Sequence, residues 1–90
     1  MDELTKLRQE IDSVDDQLLQ LLKKRLDIVK RVGDYKRKVG KAVVDSSREQ
    51  AIIEQRSEQA KVYGIDRSIV EKVWKTLFQI AYTVEEDHTK

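Results

Sequence analysis

The chain has 90 residues, and its 18 basic and 17 acidic side chains leave a net charge of +1. A chain of this length forms one domain that buries only about 60–65% of the surface of the unfolded chain. Both signs of charge are interspersed along the sequence, which does not indicate a nucleic-acid or membrane-surface partner. The chain has no cysteine that could form a disulfide, and its single histidine, His88, cannot by itself build a zinc site, so metal and redox chemistry are not expected.

The sequence also lacks the signals of a membrane or exported protein. No apolar run approaches the ~20 residues that span a bilayer. The acidic start at residues 1–3 has neither the basic region nor the apolar core of a signal peptide. We therefore expect a cytoplasmic protein.

The composition is typical of an all-α protein. Proline is absent, only three glycines occur and charged residues make up 39% of the chain, as in long helices with solvated outer faces. Gly40 and Gly64 each follow a periodic stretch, as residues that end a helix do. Gly33 lies within such a stretch, where it costs up to about 1 kcal/mol relative to alanine. This position indicates a close contact between helices.

The first periodic segment predicts one long helix, from about residue 3 to about 39. At 1.5 Å per residue it is roughly 55 Å long, whereas a compact 90-residue domain is only about 30 Å across. One chain cannot cover this helix, so we expect a homodimer whose long helices pack along each other. The apolar residues occupy the a and d positions of a heptad: Leu4, Leu7, Ile11, Val14, Leu18, Leu21, Ile28, Val32, Tyr35 and Val39.

Two shorter helices are predicted at about 47–62 and 67–86. Asp45 or Ser46 can cap the first of these, and Asp66 can cap the second. The sequence contains no repeat, linker or low-complexity stretch that would divide it. Residues 1–90 are therefore predicted to form a single domain of three helices.

Arg25 interrupts the apolar seam of the long helix. The heptad predicts an apolar residue at this position, and a buried, unpaired guanidinium would cost several kcal/mol. Arg25 therefore needs an anionic partner, either within the protein or in a ligand. Arg8 and Lys36 flank the seam at the neighbouring e position, where the usual role of a cation is a solvated or interhelical salt bridge.

The spacing of these three cations fits a small polyanion. Arg25 and Lys36 lie about 16 Å apart along the helix axis, so their long side chains can hold one dianion from both ends. Arg8 lies about 25 Å from Arg25 on the other side and cannot reach that ligand in its own chain. In an antiparallel dimer, Arg8 of one chain can lie beside Arg25 of the other and create two identical cationic pockets.

The start of the second helix allows two interpretations. Ser46 and Glu49 have the spacing of a capping box, in which the Glu49 side chain returns to the Ser46 backbone N–H. Alternatively, the helix terminus, the Arg48 cation and the Glu49 carboxylate form a pocket wall, where Glu49 accepts a hydrogen bond from a ligand hydroxyl. The local sequence favours the capping box.

Glu85 poses a similar choice on the third helix. It falls on the apolar stripe that runs through Trp74 and Ala81, so it either faces the bundle or lies at a frayed helix end in contact with water. The acidic terminus Glu85-Glu86-Asp87 favours contact with water, and Trp74 is expected in the core.

Taken together, the motifs resemble the all-helical class of chorismate mutases over nearly the whole chain. Each motif alone means little, but the ordered set lies on a seam in which Arg25 already needs an explanation. The resemblance favours the pocket wall over the capping box for Glu49. The motifs are Leu7-Arg8-x-x-Ile11-Asp12-x-x-Asp15, Leu21-Leu22-Lys23-Lys24-Arg25, Val32-Gly33-x-x-Lys36 and Asp45-x-x-Arg48-Glu49.

The resemblance implies an intertwined homodimer with two active sites. These would rearrange chorismate to prephenate on the route to phenylalanine and tyrosine. By position, Arg25 and the Arg8 of the partner chain would bind the two carboxylates of the substrate. Lys36 would hydrogen-bond the ether oxygen and a carboxylate.

The same resemblance implies the remaining site residues. Arg48, Glu49 and the backbone near Asp45 would hold the ring hydroxyl, and Glu85 would be a second donor to the ether oxygen. Ala81 stands where the family usually has a small hydroxyl residue near a carboxylate. This missing contact is expected to weaken binding without removing the chemistry.

The chemistry of the reaction agrees with this set of residues. A C–O bond breaks as a C–C bond forms within one molecule, so the reaction needs no nucleophile, metal or cofactor. Clamping both carboxylates fixes the reactive conformer, and cations at the ether oxygen stabilise the negative charge that develops there. Lys36 is expected to make the largest electrostatic contribution.

Glu85 departs from the glutamine that many family members carry. Glutamine always donates an N–H, whereas glutamate donates only when protonated and, when ionised, repels the developing negative charge. We therefore expect activity to rise as the pH falls.

Two other functions fit parts of this pattern. Isochorismate-pyruvate lyase shares the fold and the cations, although Glu49, suitably placed for the ring hydroxyl of chorismate, favours the mutase. The other is a non-catalytic helical dimerisation or regulatory module. Because related mutase domains occur fused to neighbouring enzymes, association with another shikimate-pathway enzyme is also considered.

Overall fold

The computed structural model describes residues 2–88, which form three α-helices and no strand. Helix α1 spans Glu3–Val39, α2 spans Ser46–Lys61 and α3 spans Arg67–His88. These bounds lie within two residues of those predicted from periodicity. The predicted all-α fold class is confirmed.

Both ends of α1 are set by local sequence. The Asp2 side chain accepts a hydrogen bond of 2.8 Å from the Thr5 backbone N–H, and this bond lowers the pKa of Asp2 below its ordinary value. At the other end, Gly40 adopts a left-handed conformation with φ of 74°, as predicted for a residue that ends a helix. The basic residues of the last turn lie where the helix dipole favours positive charge.

The cap of α2 differs from the one that the local sequence favours. Asp45 is the N-cap, and its carboxylate accepts a hydrogen bond of 3.1 Å from the Arg48 backbone N–H. Ser46 is already the first helical residue, so it cannot be the cap of a capping box with Glu49. That local expectation is wrong because Asp45, one residue earlier, already satisfies the free N–H.

Helix α3 packs against both α1 and α2 and forms the centre of the molecule. Gly33 of α1 lies where the two backbones approach closely: a Cβ atom added there would lie 3.0 Å from the Glu85 Cα. The predicted close helix contact at Gly33 is confirmed.

Trp74 is only half-buried. Within a single chain it therefore does not lie in the core, where the sequence predicts it. The core residues are Val29, Ile53, Ala60, Val70, Phe78 and Ala81.

The N-terminal half of α1 extends beyond the rest of the molecule. The chain measures 55 × 27 × 15 Å with a radius of gyration of 16.4 Å, against about 12 Å for a compact chain of this length. The prediction that one chain cannot cover its long helix is confirmed. The seam residues of this half are between 46% and 58% exposed: Leu4, Leu7, Ile11, Val14 and Leu18. In the described part of the chain, no helix is both long and apolar enough to cross a membrane.

Candidate active site

A cavity of about 320 Å³ lies between the C-terminal half of α1, the start of α2 and the end of α3. This volume suits a small ligand. Its remaining walls are mostly apolar, from α1, α2 and Phe78. Seven of the eight site residues predicted from the sequence line it: Arg25, Lys36, Asp45, Arg48, Glu49, Ala81 and Glu85.

Arg8 is the one predicted site residue that this cavity does not contain. It lies on the exposed N-terminal half of α1, about 25 Å from Arg25 along the helix. The predicted separation of the two residues within one chain therefore agrees with the structure.

Lys36 lies where α1, α3 and the connection between α1 and α2 meet. Its Nζ donates a hydrogen bond of 2.6 Å to the Val43 carbonyl oxygen and lies 2.8 Å from Glu85 Oε1. The two charged side chains are only 18% and 4% exposed. The Lys36 ammonium is thus held in place by two elements besides its own helix.

Glu85 is buried, with 3% of the residue exposed, so the expectation that it faces water is wrong. Its helix does not fray at this position because Gly33 lets α3 pack directly on α1. The Oε1 atom has no aligned hydrogen-bond donor within residues 2–88, although the Lys36 ammonium is 2.8 Å away. The contact is therefore an ion pair whose geometry leaves Oε1 without a directed hydrogen bond.

Arg25 is half-buried and lines the cavity. Within residues 2–88 its guanidinium forms no ion pair. The sequence left two kinds of partner open for Arg25, and the described part of the chain provides no carboxylate that pairs with it. A ligand is the alternative that stays open.

The start of α2 brings both signs of charge to the cavity. Asp45 uses its carboxylate as the helix cap, Arg48 is exposed at the rim and Glu49 is half-buried in the wall. Because no capping box holds Glu49, its carboxylate is available to the cavity.

Tyr82 is a cavity residue that the sequence reasoning missed. Burial raises the pKa of its hydroxyl, the Asp45 backbone N–H lowers it, and the nearby Glu49 and Glu85 carboxylates raise it again, with a net rise. The hydroxyl therefore stays protonated at neutral pH. One signal was available: Phe78, Ala81, Tyr82 and Glu85 follow the i, i+3, i+4, i+7 spacing of one helix face.

A second cavity, of about 380 Å³, lies between α2 and α3 on another side of the molecule. Arg56 is the only charged residue among those that line it, and Trp74 and Val70 contribute to its apolar wall. It offers no set of opposed charges for a polar substrate. Residues 2–88 also contain no cluster of acidic or histidine side chains that could hold a metal ion.

Comparison with known proteins agrees with this geometry. The model of the family described as chorismate mutase type II matches residues 7–86, which include all eight predicted site residues. The chain belongs to this family. The assignment to the chorismate mutases made from the sequence motifs is confirmed.

Relatives of this chorismate mutase type II chain include longer proteins. It is 39% identical to the T-protein of Enterobacter agglomerans over 94% of this chain and 23% of that protein. It is 41% identical to a bifunctional chorismate mutase/prephenate dehydratase of Aquifex aeolicus over 60% of this chain and 15% of that protein. A 4-amino-4-deoxychorismate mutase of Streptomyces venezuelae is 26% identical over 93% of this chain and 82% of that protein.

Proposed function

We propose that the chain is an isomerase that rearranges chorismate to prephenate in the biosynthesis of phenylalanine and tyrosine. The observation that carries this proposal is Arg25, a half-buried guanidinium that lines the cavity and forms no ion pair with any carboxylate of residues 2–88. A carboxylate of the substrate supplies the partner that such a cation needs. Membership of the chorismate mutase type II family supports this choice of substrate.

Each charged group of the cavity has a role in binding the substrate. Arg25 and the Arg8 of a second chain bind the two carboxylates, and Lys36 binds the ether oxygen and a carboxylate. At the start of α2, Arg48, Glu49 and the backbone near Asp45 bind the ring hydroxyl. Ala81, which is buried and carries no polar atom in its side chain, contributes only to the shape of the wall.

The reaction needs confinement and charge rather than proton transfer. All atoms of chorismate remain in prephenate: one C–O bond breaks, one C–C bond forms and no proton is exchanged with the protein. The cavity holds the two reacting parts close together. Lys36, already fixed by Val43 and Glu85, stabilises the negative charge on the ether oxygen without further reorganisation.

The charge balance of the cavity bears on the role of Glu85. The three basic residues Arg25, Lys36 and Arg48 face three acidic ones, so the chain itself offers a dianion no net positive charge. Arg8 from a second chain adds one positive charge. A neutral donor at position 85, such as a glutamine amide, would serve the ether oxygen and add one more.

The active form is a homodimer that supplies Arg8 across the interface. Two apolar surfaces of the chain support this proposal: the uncovered seam of α1 and the second cavity, between α2 and α3, to which Trp74 contributes. A second copy of the chain can cover both. The enzyme requires no cofactor or metal and is located in the cytoplasm. It can associate with another enzyme of the pathway, as the bifunctional relative of Aquifex aeolicus suggests.

The test follows the loss of chorismate by its ultraviolet absorbance, with wild type, Arg25→Ala and Arg31→Ala in parallel. Arg31 is an exposed arginine of the same helix and serves as the matched control. We expect turnover to prephenate by wild type and Arg31→Ala and a loss of at least about 100-fold in Arg25→Ala. Folded wild type that produces no prephenate contradicts the proposal. Salicylate from isochorismate would identify the lyase instead, and no turnover of either substrate would favour the non-catalytic module.

A further inference from the structure

Tyr82 joins the two chemically different ends of the cavity, and the proposed function gives it no role. It lies almost one helical turn before Glu85 on α3 and is half-buried in the cavity wall. Its neighbours in the same wall include Asp45 and Glu49 from the start of α2 and Lys36 from α1. The cavity wall therefore brings Tyr82 together with groups from α1 and from the start of α2.

The two parts of the Tyr82 side chain meet different partners. The hydroxyl shares the cavity wall with Asp45 and Glu49, and the Asp45 backbone N–H and the Glu49 carboxylate both affect its pKa. The ring centroid lies 5.9 Å from Lys36 Nζ, which is within the range of a cation–π contact. The hydroxyl thus acts where the ring hydroxyl of the substrate is bound, and the ring acts where the C–O bond breaks.

We propose that Tyr82 is a positioning residue that determines how strongly the site selects for a hydroxyl group on the substrate ring. Its hydroxyl accepts a hydrogen bond from the Asp45 N–H and donates one to Glu49, which turns the Glu49 carboxylate into the cavity. This inference rests on the proposed function, since the substrate hydroxyl that Glu49 accepts is that of chorismate.

The hydrogen-bonding capacity of the groups supports this role. An ionised carboxylate offers about four acceptor positions, so Glu49 can accept from Tyr82 and from a ligand hydroxyl at the same time. Fixing the flexible glutamate before the ligand arrives removes part of the entropy that binding would cost. A phenol that remains protonated at neutral pH is a permanent donor for this purpose.

Selection for a hydroxyl follows from the same arrangement. A site built to hydrogen-bond a substrate hydroxyl disfavours an analogue that lacks it, because the polar groups of the site are then left unpaired. While Tyr82 holds Glu49 toward the cavity, an analogue without the hydroxyl leaves the Glu49 carboxylate unpaired and binds more weakly. Without the Tyr82 hydroxyl, Glu49 can turn away and be hydrated, so the analogue loses less affinity.

The experiment compares Tyr82→Phe, Glu49→Ala and the double variant with wild type, using chorismate and a synthetic analogue without the ring hydroxyl. Tyr82→Phe keeps the ring beside Lys36 and removes only the hydroxyl. We expect kcat/KM for chorismate to fall about 10-fold, or about 1.4 kcal/mol, chiefly through a higher KM. With the analogue, or in the Glu49→Ala background, the same change should cost less than about twofold. Thr76→Val, which removes an exposed hydroxyl of the same helix outside the cavity, is the matched control.

The outcomes separate this inference from the proposed function. If wild type turns over chorismate and the loss in Tyr82→Phe is absent, or is equally large with the analogue and without Glu49, Tyr82 is only part of the wall. If wild type is inactive, the proposed function fails. The midpoints of urea unfolding of the four proteins then still decide about the contact: non-additive midpoints support it, and additive midpoints overturn it.

Discussion

The two halves of α1 carry the same apolar seam, but only the C-terminal half packs on another helix of the chain. From Val29 onward the face that carries Val29 and Gly33 packs on α3, and Lys36 lines the cavity. The seam itself is exposed in both halves, at Leu4 as at Tyr35. The comparison shows that apolar periodicity records a surface to be buried and does not say which chain buries it. In this molecule the length of the helix gives that answer, because a single short chain cannot extend so far.

The largest effect is expected in the buried half, at Lys36. Lys36→Ala removes the cation nearest Glu85 and should lower kcat by about 10²–10³-fold, the usual loss when a preorganised donor is removed. It also leaves the buried Glu85 without its ion pair, which should cost about 1–3 kcal/mol of stability. Steady-state kinetics and urea unfolding measure the two effects. Lys30→Ala, on the exposed face of α1, should change neither, and equal losses in both variants would contradict the role of Lys36.

The exposed half is tested by mixing two inactive chains. If Arg8 acts across the interface, a dimer of one Arg8→Ala chain and one Arg25→Ala chain has one intact site. Half of the dimers in an equimolar mixture are of this kind, so about a quarter of the wild-type activity should return after subunit exchange. Each variant alone should stay inactive at the same total concentration. A mixture that is no more active than its components would mean that the two arginines do not meet across a dimer.

Removing the charge of Glu85 distinguishes the ion pair from the rest of the cavity. Glutamine at this position keeps the shape of the side chain, always donates an N–H to the ether oxygen and does not oppose a dianion. The kcat/KM of Glu85→Gln should therefore be several-fold higher than that of wild type at the same pH. Lys36, Arg25, Glu49 and Tyr82 are common to both proteins and act as the internal control. An equal or lower kcat/KM in Glu85→Gln would exclude this role of position 85.

The smallest expected effect concerns the contact that buries Glu85. An added Cβ at Gly33 would lie 3.0 Å from the Glu85 Cα and 3.2 Å from its carbonyl oxygen, so α3 must shift. Gly33→Ala should destabilise the protein by about 1–3 kcal/mol. In a helix without this contact the same substitution would stabilise by up to about 1 kcal/mol. The sign of the change in urea unfolding therefore decides whether the two backbones approach as closely as described.

The features that could be predicted depend on local sequence. The bounds of α1 follow from its periodicity, Asp2 and Gly40. The distances between Arg8, Arg25 and Lys36 follow from the constant rise per residue of one helix. Arg25 could be identified as unusual because it breaks a regular pattern, and these features require no knowledge of what packs where.

The features that could not be predicted depend on contacts between helices. The local sequence of Glu85 is typical of an acidic helix end that faces water. Glu85 is buried because α3 packs on Gly33 of α1. The two candidate caps of α2, Asp45 and Ser46, are adjacent, and the local sequence does not decide at which of them the helix begins. Tyr82 became a site residue only when the face of α3 that meets α2 was known.

The hydrogen bond from Lys36 to the Val43 carbonyl has a consequence for how the chain can vary in length. Residues 40–45 connect the Lys36 ammonium, through Val43, to the cap of α2 at Asp45. One inserted residue would displace one or the other. Residues 62–66, between α2 and α3, have no comparable bond to the cavity. Insertions and fusions should therefore be tolerated in the second connection and not in the first, although both are short and lie on the surface.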